Sequence, residues 1–257
     1  MTNRRVRHVA LVAMIALMGC SQAPGTPATT TSPPETPSPT GEPSRTPTIQ
    51  NVMEIEGSFA SFAPLEPGSY FIDPDADPST PLRVVYQVPV EGWRQWLGAT
   101  RFAGDEHVTV SITTVTNLVR HGCRDDSPAD PPVGSSVDDL ATALADLAPF
   151  QVTSPPEDVT VYGYSGKHLE LTVPDLPVAG DGFAGCVGGD LHSWFSPNHD
   201  QGDNAYFGYE GPGYTEEFWI LDVEGSRLVV ATQRTRDMPA GYIAELRAIL
   251  DSIRIEP

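Results

Sequence analysis

Glu217–Val223 (EFWILDV), the break Glu224-Gly225-Ser226 and Arg227–Gln233 (RLVVATQ) decide the fold class of this chain. Both runs are short for helices and rich in the β-branched and aromatic residues that suit a pleated surface. The Gly between them permits a tight reversal, so a β-hairpin is expected. The same signature extends outward. Asp158–Tyr164 and Lys167–Val173 (KHLELTV) read as a second hairpin turning at Ser165-Gly166. Leu82–Val88 (LRVVYQV) and Leu191–Phe195 read as further strands. In His107–Val115 (HVTVSITTV), Val108, Val110 and Ile112 alternate with His107, Thr109, Ser111 and Thr113. That alternation predicts a strand with one buried face and one wet face.

Two segments carry helical spacing instead. Val137, Leu140, Leu144 and Leu147 share one face, with Ser135 or Ser136 as N-cap, Asp138 and Asp139 in the first turn, and Pro149 as the stop. The second helix runs from about Pro239 to Ser252, with Ile243, Leu246, Leu250 and Ile253 on one stripe and Pro239 in the first turn. A short strand, Ser252–Ile255, follows. Hairpin-linked strands with two helices imply an α+β domain: a mostly antiparallel sheet with the helices packed on it.

The N-terminus supplies an address. Arg4, Arg5 and Arg7 precede the apolar run Val9–Met18, followed by Gly19 and Cys20. A basic stretch, about ten apolar residues and a small residue form a secretory signal, too short to span a bilayer. With Cys20 directly after Gly19, it resembles the lipobox of bacterial lipoproteins. The resemblance implies cleavage before Cys20, lipidation of its thiol and a signal peptide over residues 1–19. Residues 20–49 then form the lipidated cysteine and a tether. Ser21–Thr48 contains eight Pro, eight Thr and four Ser. Such a stretch cannot bury enough apolar surface to offset its ordering entropy, so a disordered Pro/Thr/Ser tether is expected. Residues 50–257 are one domain's worth of chain.

Charge narrows the partners. The chain holds 15 basic and 34 acidic residues, and removing Arg4, Arg5 and Arg7 with the signal leaves a net charge near −22. That disfavours nucleic acid and any electrostatic grip on anionic lipid, so the acyl anchor is the expected membrane contact. Besides Cys20 the chain has Cys123 and Cys186. In an oxidising compartment these two most simply form one disulfide, the alternative being a reactive thiol at Cys186 with His192 as base.

The element order is similar to actinobacterial lipoproteins of the PsbP-like fold and to a set of uncharacterised actinobacterial lipoproteins. It is carried by Gly68-Ser69-Tyr70-Phe71, Val137-Asp138-Asp139-Leu140, Gly166-Lys167-His168-Leu169-Glu170-Leu171, Phe218-Trp219-Ile220-Leu221-Asp222-Val223 and Ile249-Leu250-Asp251-Ser252-Ile253. The resemblance implies a cell-envelope binding or accessory role and supplies no catalytic residue. The single Lys, Lys167, against fourteen Arg points to the same GC-rich bacteria.

Motifs for chemistry fall short. Asp73, Asp75 and Asp77 start like a calcium loop, but Pro78 replaces its sixth-position Gly and Val84 its terminal Glu. Gly163-Tyr164-Ser165-Gly166 lacks the spacing and the strand-to-helix turn of a nucleophile elbow. His192 and His199 lack a metal-binding spacing. Trp93, Trp96, Trp194, Tyr206, Tyr209, Tyr214 and Trp219 are the candidate ligand contacts, because amphipathic rings suit a sugar, lipid or protein. The sequence therefore points to a non-catalytic, monomeric, lipid-anchored envelope protein. No cofactor or metal is expected, and the ligand is an envelope lipid, glycan or protein. The competing readings are an envelope hydrolase or thiol enzyme and a calcium-dependent adhesion module.

Overall fold

Val108, Val110, Ile112, Leu221, Leu228 and Val230 bury one face of a sheet, and Leu169, Leu171, Phe218, Ile220, Val229 and Ala231 bury the other. The computed structural model describes residues 49–55, 62–180, 182–197, 206–209 (backbone only) and 211–257. These residues belong to one compact unit. Cys20, the tether up to residue 48, and His199 lie outside them.

In chain order the first strands are β1 (Gln50–Asn51), β2 (Pro64–Leu65), β3 (Gly68–Ile72), β4 (Arg83–Val88) and β5 (Trp93–Gln95). Next come β6 (Gly98–Ala103), β7 (Glu106–Thr113), β8 (Asn117–His121) and β9 (Asp125–Pro128), then α1 (Val137–Ala145). The long hairpin β10 (Gln151–Val161) and β11 (Tyr164–Thr172) precedes β12 (Val178–Ala179), β13 (Gly182–Phe183), β14 (Leu191–Phe195) and β15 (Tyr206–Tyr209). The chain closes with β16 (Thr215–Val223), β17 (Ser226–Arg234), α2 (Ala240–Asp251) and β18 (Arg254–Glu256).

The central sheet has eight strands in the order β10-β11-β16-β17-β7-β6-β5-β2. Smaller sheets follow the orders β1-β3-β4-β18 and β15-β14-β8-β9, with β12-β13 as a separate ribbon. Every pairing is antiparallel except β1 with β3. The fold is α+β in character, a mostly antiparallel sheet with two helices, as the sequence implies. The helices take opposite faces. Leu246, Ile249 and Ile253 join Ile72, Val84 and Tyr86 over one side, while Leu140, Ala141 and Leu144 join Leu191 and Trp194 over the other.

This two-sided cover corrects the half-buried strand. All of Val108–Thr113 is buried, the Thr and Ser as deeply as the aliphatics. Thr109 and Thr113 meet that burial with hydroxyl partners: Thr100 Oγ1 lies 2.8 Å from Thr109 Oγ1, and Thr113 Oγ1 bonds the Ser196 hydroxyl. The period-2 pattern of the sequence therefore separates apolar from hydrogen-bonded burial rather than core from solvent.

The turns also move. The β10–β11 reversal is Tyr162-Gly163, both with positive φ (53° and 91°), rather than Ser165-Gly166. Gly166 sits inside β11, where a Cβ would lie 2.0 Å from the Ile220 carbonyl oxygen. It is Gly because the β16 backbone approaches too closely for any side chain. Glu224 and Gly225 alone make the β16–β17 turn, with Val223 paired to Ser226. The strand expected at Asp158 begins at Gln151 and includes Pro155 and Pro156. Both prolines lie at the sheet's edge, next to register shifts, where a missing N–H leaves no ladder bond broken.

Helix α1 starts as the sequence implies: Ser136 Oγ accepts from Asp139 N–H at 3.0 Å, and Asp139 accepts from Ser136 N–H at 3.1 Å. It ends at Ala145, before Pro149 can act, because Asp146 caps it. Pro239 is the N-cap of α2 rather than a first-turn residue, and Ser252 is its C-cap, so the last strand is Arg254–Glu256.

Cys123 and Cys186 form a disulfide with Cα atoms 4.4 Å apart. It ties the β8–β9 turn to the segment before β14, beside the Val187 N–H to Cys123 carbonyl bond of 2.8 Å. The closed loop spans 63 positions, for which chain entropy alone gives about 4 kcal/mol. The C123A/C186A double variant should therefore melt cooperatively at a markedly lower temperature, lost stability of about 2–5 kcal/mol being measurable by urea titration. An unchanged midpoint would mean that the crosslink constrains nothing the fold does not already hold.

Candidate functional site

Five rings gather where β5, β6, β7 and β16 begin or end. Phe62 stacks on Trp96 (centroids 5.3 Å) and meets Phe102 edge-on (5.3 Å). Phe102 lies 5.8 Å from His107, and His107 meets Tyr214 edge-on at 5.4 Å. Phe102 is 39 % exposed, and the other four are half-buried. The strip is built by register: Phe102 and His107 are cross-strand partners, so the β6–β7 hairpin places them side by side on one face.

Behind the strip on the same face lies a row of buried polar groups. Glu216 faces Gln233, Gln233 faces Thr109, and Thr109 faces Thr100 across successive strands. The Gln233 side chain hydrogen-bonds His107. Burial lowers the His107 pKa below its usual 6.5, with the Gln233 bond acting the other way, so the imidazole is neutral at neutral pH. Glu216 is 3 % exposed. Its Oε1 accepts a long bond from Trp194 Nε1 (3.4 Å), and its Oε2 meets no partner among the described residues. Burial pushes its pKa well above the usual glutamate value, against the Trp194 bond, which favours the charged form.

The opposite end of this sheet face opens as a polar cleft of about 460 Å³ beside the α1 N-terminus. Lys167 Nζ bridges Asp158 (2.7 Å) and Asp138 (3.2 Å). Those hydrogen bonds raise the lysine pKa, which removes it as a general base beside Ser165. Arg227 donates to the carbonyls of Ser136 (3.1 Å) and Val115 (2.9 Å), so its guanidinium is spent on holding the helix start.

The sequence-derived aromatics divide between the two sheet faces. Trp96, Trp194 and Tyr214 lie on the face with the polar row, Trp194 fully buried. Trp93 is buried on the α2 face and donates to Glu245 (3.2 Å). Trp219 is on that face as well, its ring 5.1 Å from His168. Tyr206 and Tyr209 lie in β15, next to β14. Sequence reasoning missed Phe62, Phe102 and His107 as site residues. For His107 and Phe102 the only signal is their position flanking the Gly104 turn, a register that no composition reveals.

The chemical alternatives meet specific obstacles. Cys186 carries no thiol, because it is half of the disulfide, which overturns the thiol nucleophile. His192 is 2 % exposed, and its Nε2 lies 3.2 Å from the Val187 carbonyl oxygen. Asp75 and Asp77 accept from the Thr80 and Ser79 hydroxyls (2.7 and 2.6 Å) in a local turn, and Asp73 faces Arg83 at 3.6 Å. Among the described residues no three His, Cys, Asp or Glu gather to hold a metal ion. Glu170 and Glu217 are cross-strand neighbours, and burial together with the Glu170 charge raises the Glu217 pKa.

No protein-family model and no curated protein matches the chain. Among solved structures it is similar to the crystal structure of LpqN, described as involved in cell envelope biogenesis of Mycobacterium tuberculosis. The TM-score is 0.30 at 12 % identity, covering 76 % of this chain and 90 % of that one. Among the described residues no helix is long and apolar enough to cross a membrane.

The Glu216 burial has a pH signature. A carboxyl whose folded pKa is raised binds its proton more tightly folded than unfolded. Its contribution therefore falls as pH rises through the unfolded value of 4.5 and levels off only above the folded one. E216Q should melt higher than the natural protein at neutral pH and flatten this part of the stability–pH curve. A lower melting temperature for E216Q across that range would show that the carboxyl has a partner worth more than its burial costs.

Proposed function

We propose that this protein is a lipoprotein anchored through Cys20 on the extracytoplasmic face of a bacterial cell membrane. Residues 20–49 serve as the tether, and residues 50–257 are a single, monomeric, non-catalytic domain that binds an envelope ligand. The anchor rests on the signal, Gly19 and Cys20, and on a charge that leaves acyl chains as the membrane contact. The observation that carries the binding reading is the partly exposed ring strip Trp96-Phe62-Phe102-His107-Tyr214. It stands on strand ends held by a doubly covered sheet, and rings on rigid strands lose little entropy on binding.

C20A should move the protein from the membrane fraction to the medium or the soluble envelope fraction, with loss of the acyl mass. Retention of C20A on membranes would refute the lipid anchor. A native mass spectrum of the released protein tests the binding reading: extra mass that disappears on denaturation is expected.

A further inference from the structure

We propose that the half-exposed sheet face of β10, β11 and β16 around Trp219 docks a basic protein partner, which seats an Arg or Lys side chain against Trp219 and Glu217. This goes beyond the reading above and is independent of the ring strip, because Trp219 lies on the opposite sheet face from Trp96 and Tyr214.

Register builds the face. Trp219 pairs with His168 on β11, Glu217 pairs with Glu170, and His168 pairs with Glu157 on β10. Residues that pair across strands share a face, and so do residues two apart on one strand, so the five side chains form one patch. Helix α2 covers this side of the sheet over β7, while α1 packs on β10, β11 and β16 from the other side. The difference shows in burial. Leu221 and Val230, under the cover, are 0 % exposed. The His168 and Glu170 side chains are 20 % and 23 % exposed, and Glu217 and Trp219 are half-buried as well.

The charges of the patch do not balance. His168 Nδ1 lies 3.5 Å from Glu157, and Arg234 Nη2 lies 3.7 Å from Glu170. Among the described residues no cation lies within ion-pair distance of Glu217. Burial and the neighbouring Glu170 raise its pKa, against the weaker pull of Arg234 and His168. A neutral or anionic partner closing over this face would finish the burial of that carboxylate with nothing to offset it. An ammonium or guanidinium supplies the missing charge and also packs on an indole ring. A chain near −22 steers basic surfaces toward it and repels anionic lipid and polyanions. The patch is a sheet surface with an aromatic anchor and a charged rim, the anatomy of a protein interface, whereas small ligands take clefts. The clefts at Lys167 and at Asn51–Asp73 lie elsewhere.

The test is calorimetric titration of the released C20A protein with acetyl-tetraarginine amide and acetyl-tetralysine amide. At least one is expected to bind, more weakly as salt is raised. Its affinity should fall about 3- to 10-fold in E217Q and in W219A and stay within about twofold in E91Q, which removes the same charge from the exposed β4–β5 turn. E217Q removes a carboxylate that burial disfavours, so it should melt no lower than the natural protein, and its loss of binding is not loss of fold. Failure of both peptides at millimolar concentration, or unchanged affinity in folded E217Q and W219A, would overturn the docking surface. An equal loss in E91Q would reduce the binding to net charge and overturn it too. Binding of phosphatidylethanolamine vesicles in place of the peptides would assign the face to a lipid amine and overturn the protein partner.

Discussion

Burial of the β16–β17 hairpin and of β7 on both faces is the constraint on which the rest depends. Phe218, Ile220, Val229 and Ala231 face one way, and Leu221, Leu228 and Val230 the other. A sheet apolar on both sides needs two covers, each removing its face from water at roughly 25 cal/mol per Å². The small sheet β1-β3-β4-β18 with α2 supplies one cover, and α1 with β14 supplies the other. Positions beyond the covers are where side chains can reach a ligand. The ring strip occupies one such margin and the Lys167 cleft another.

The disulfide and the ion pairs act on the periphery of this core. Cys123–Cys186 fastens two irregular stretches, where few apolar contacts exist to do so. Lys167 and Arg227 fasten the start of α1 to the sheet. Lys167 sits among exposed carboxylates, so its ion pairs fix geometry more than they add stability. Among the described residues Gln95 and Glu216 are exceptions to satisfied burial. A carboxyl kept in the core with one oxygen unpartnered costs stability.

Much of this was legible in the chain. The hairpin runs, the two helical stripes and the Ser136 cap gave the class, an antiparallel sheet with two helices, because those signals are local and periodic. The cysteine count gave the disulfide, because Cys123 and Cys186 had no other partner once Cys20 was assigned to the anchor. The turn falls at Tyr162-Gly163, although Ser165-Gly166 carries the same X-Gly signal. Only the approach of Ile220 shows that Gly166 answers to a neighbour instead.

The sequence by itself determined the periodicities, the acidic charge, the expected anchor at Cys20 and the elements that form. Those follow from residues near one another along the chain. Tertiary structure alone decided that Thr109 and Thr113 are interior, that Trp93 and Trp219 lie on the opposite face from Trp96 and Tyr214, and that Phe62, Phe102 and His107 complete one strip. The physical reason is strand register. A side chain's face, and its neighbour across the sheet, depend on which residue of a distant strand it pairs with, and a single-residue slip would send every ring to the other side.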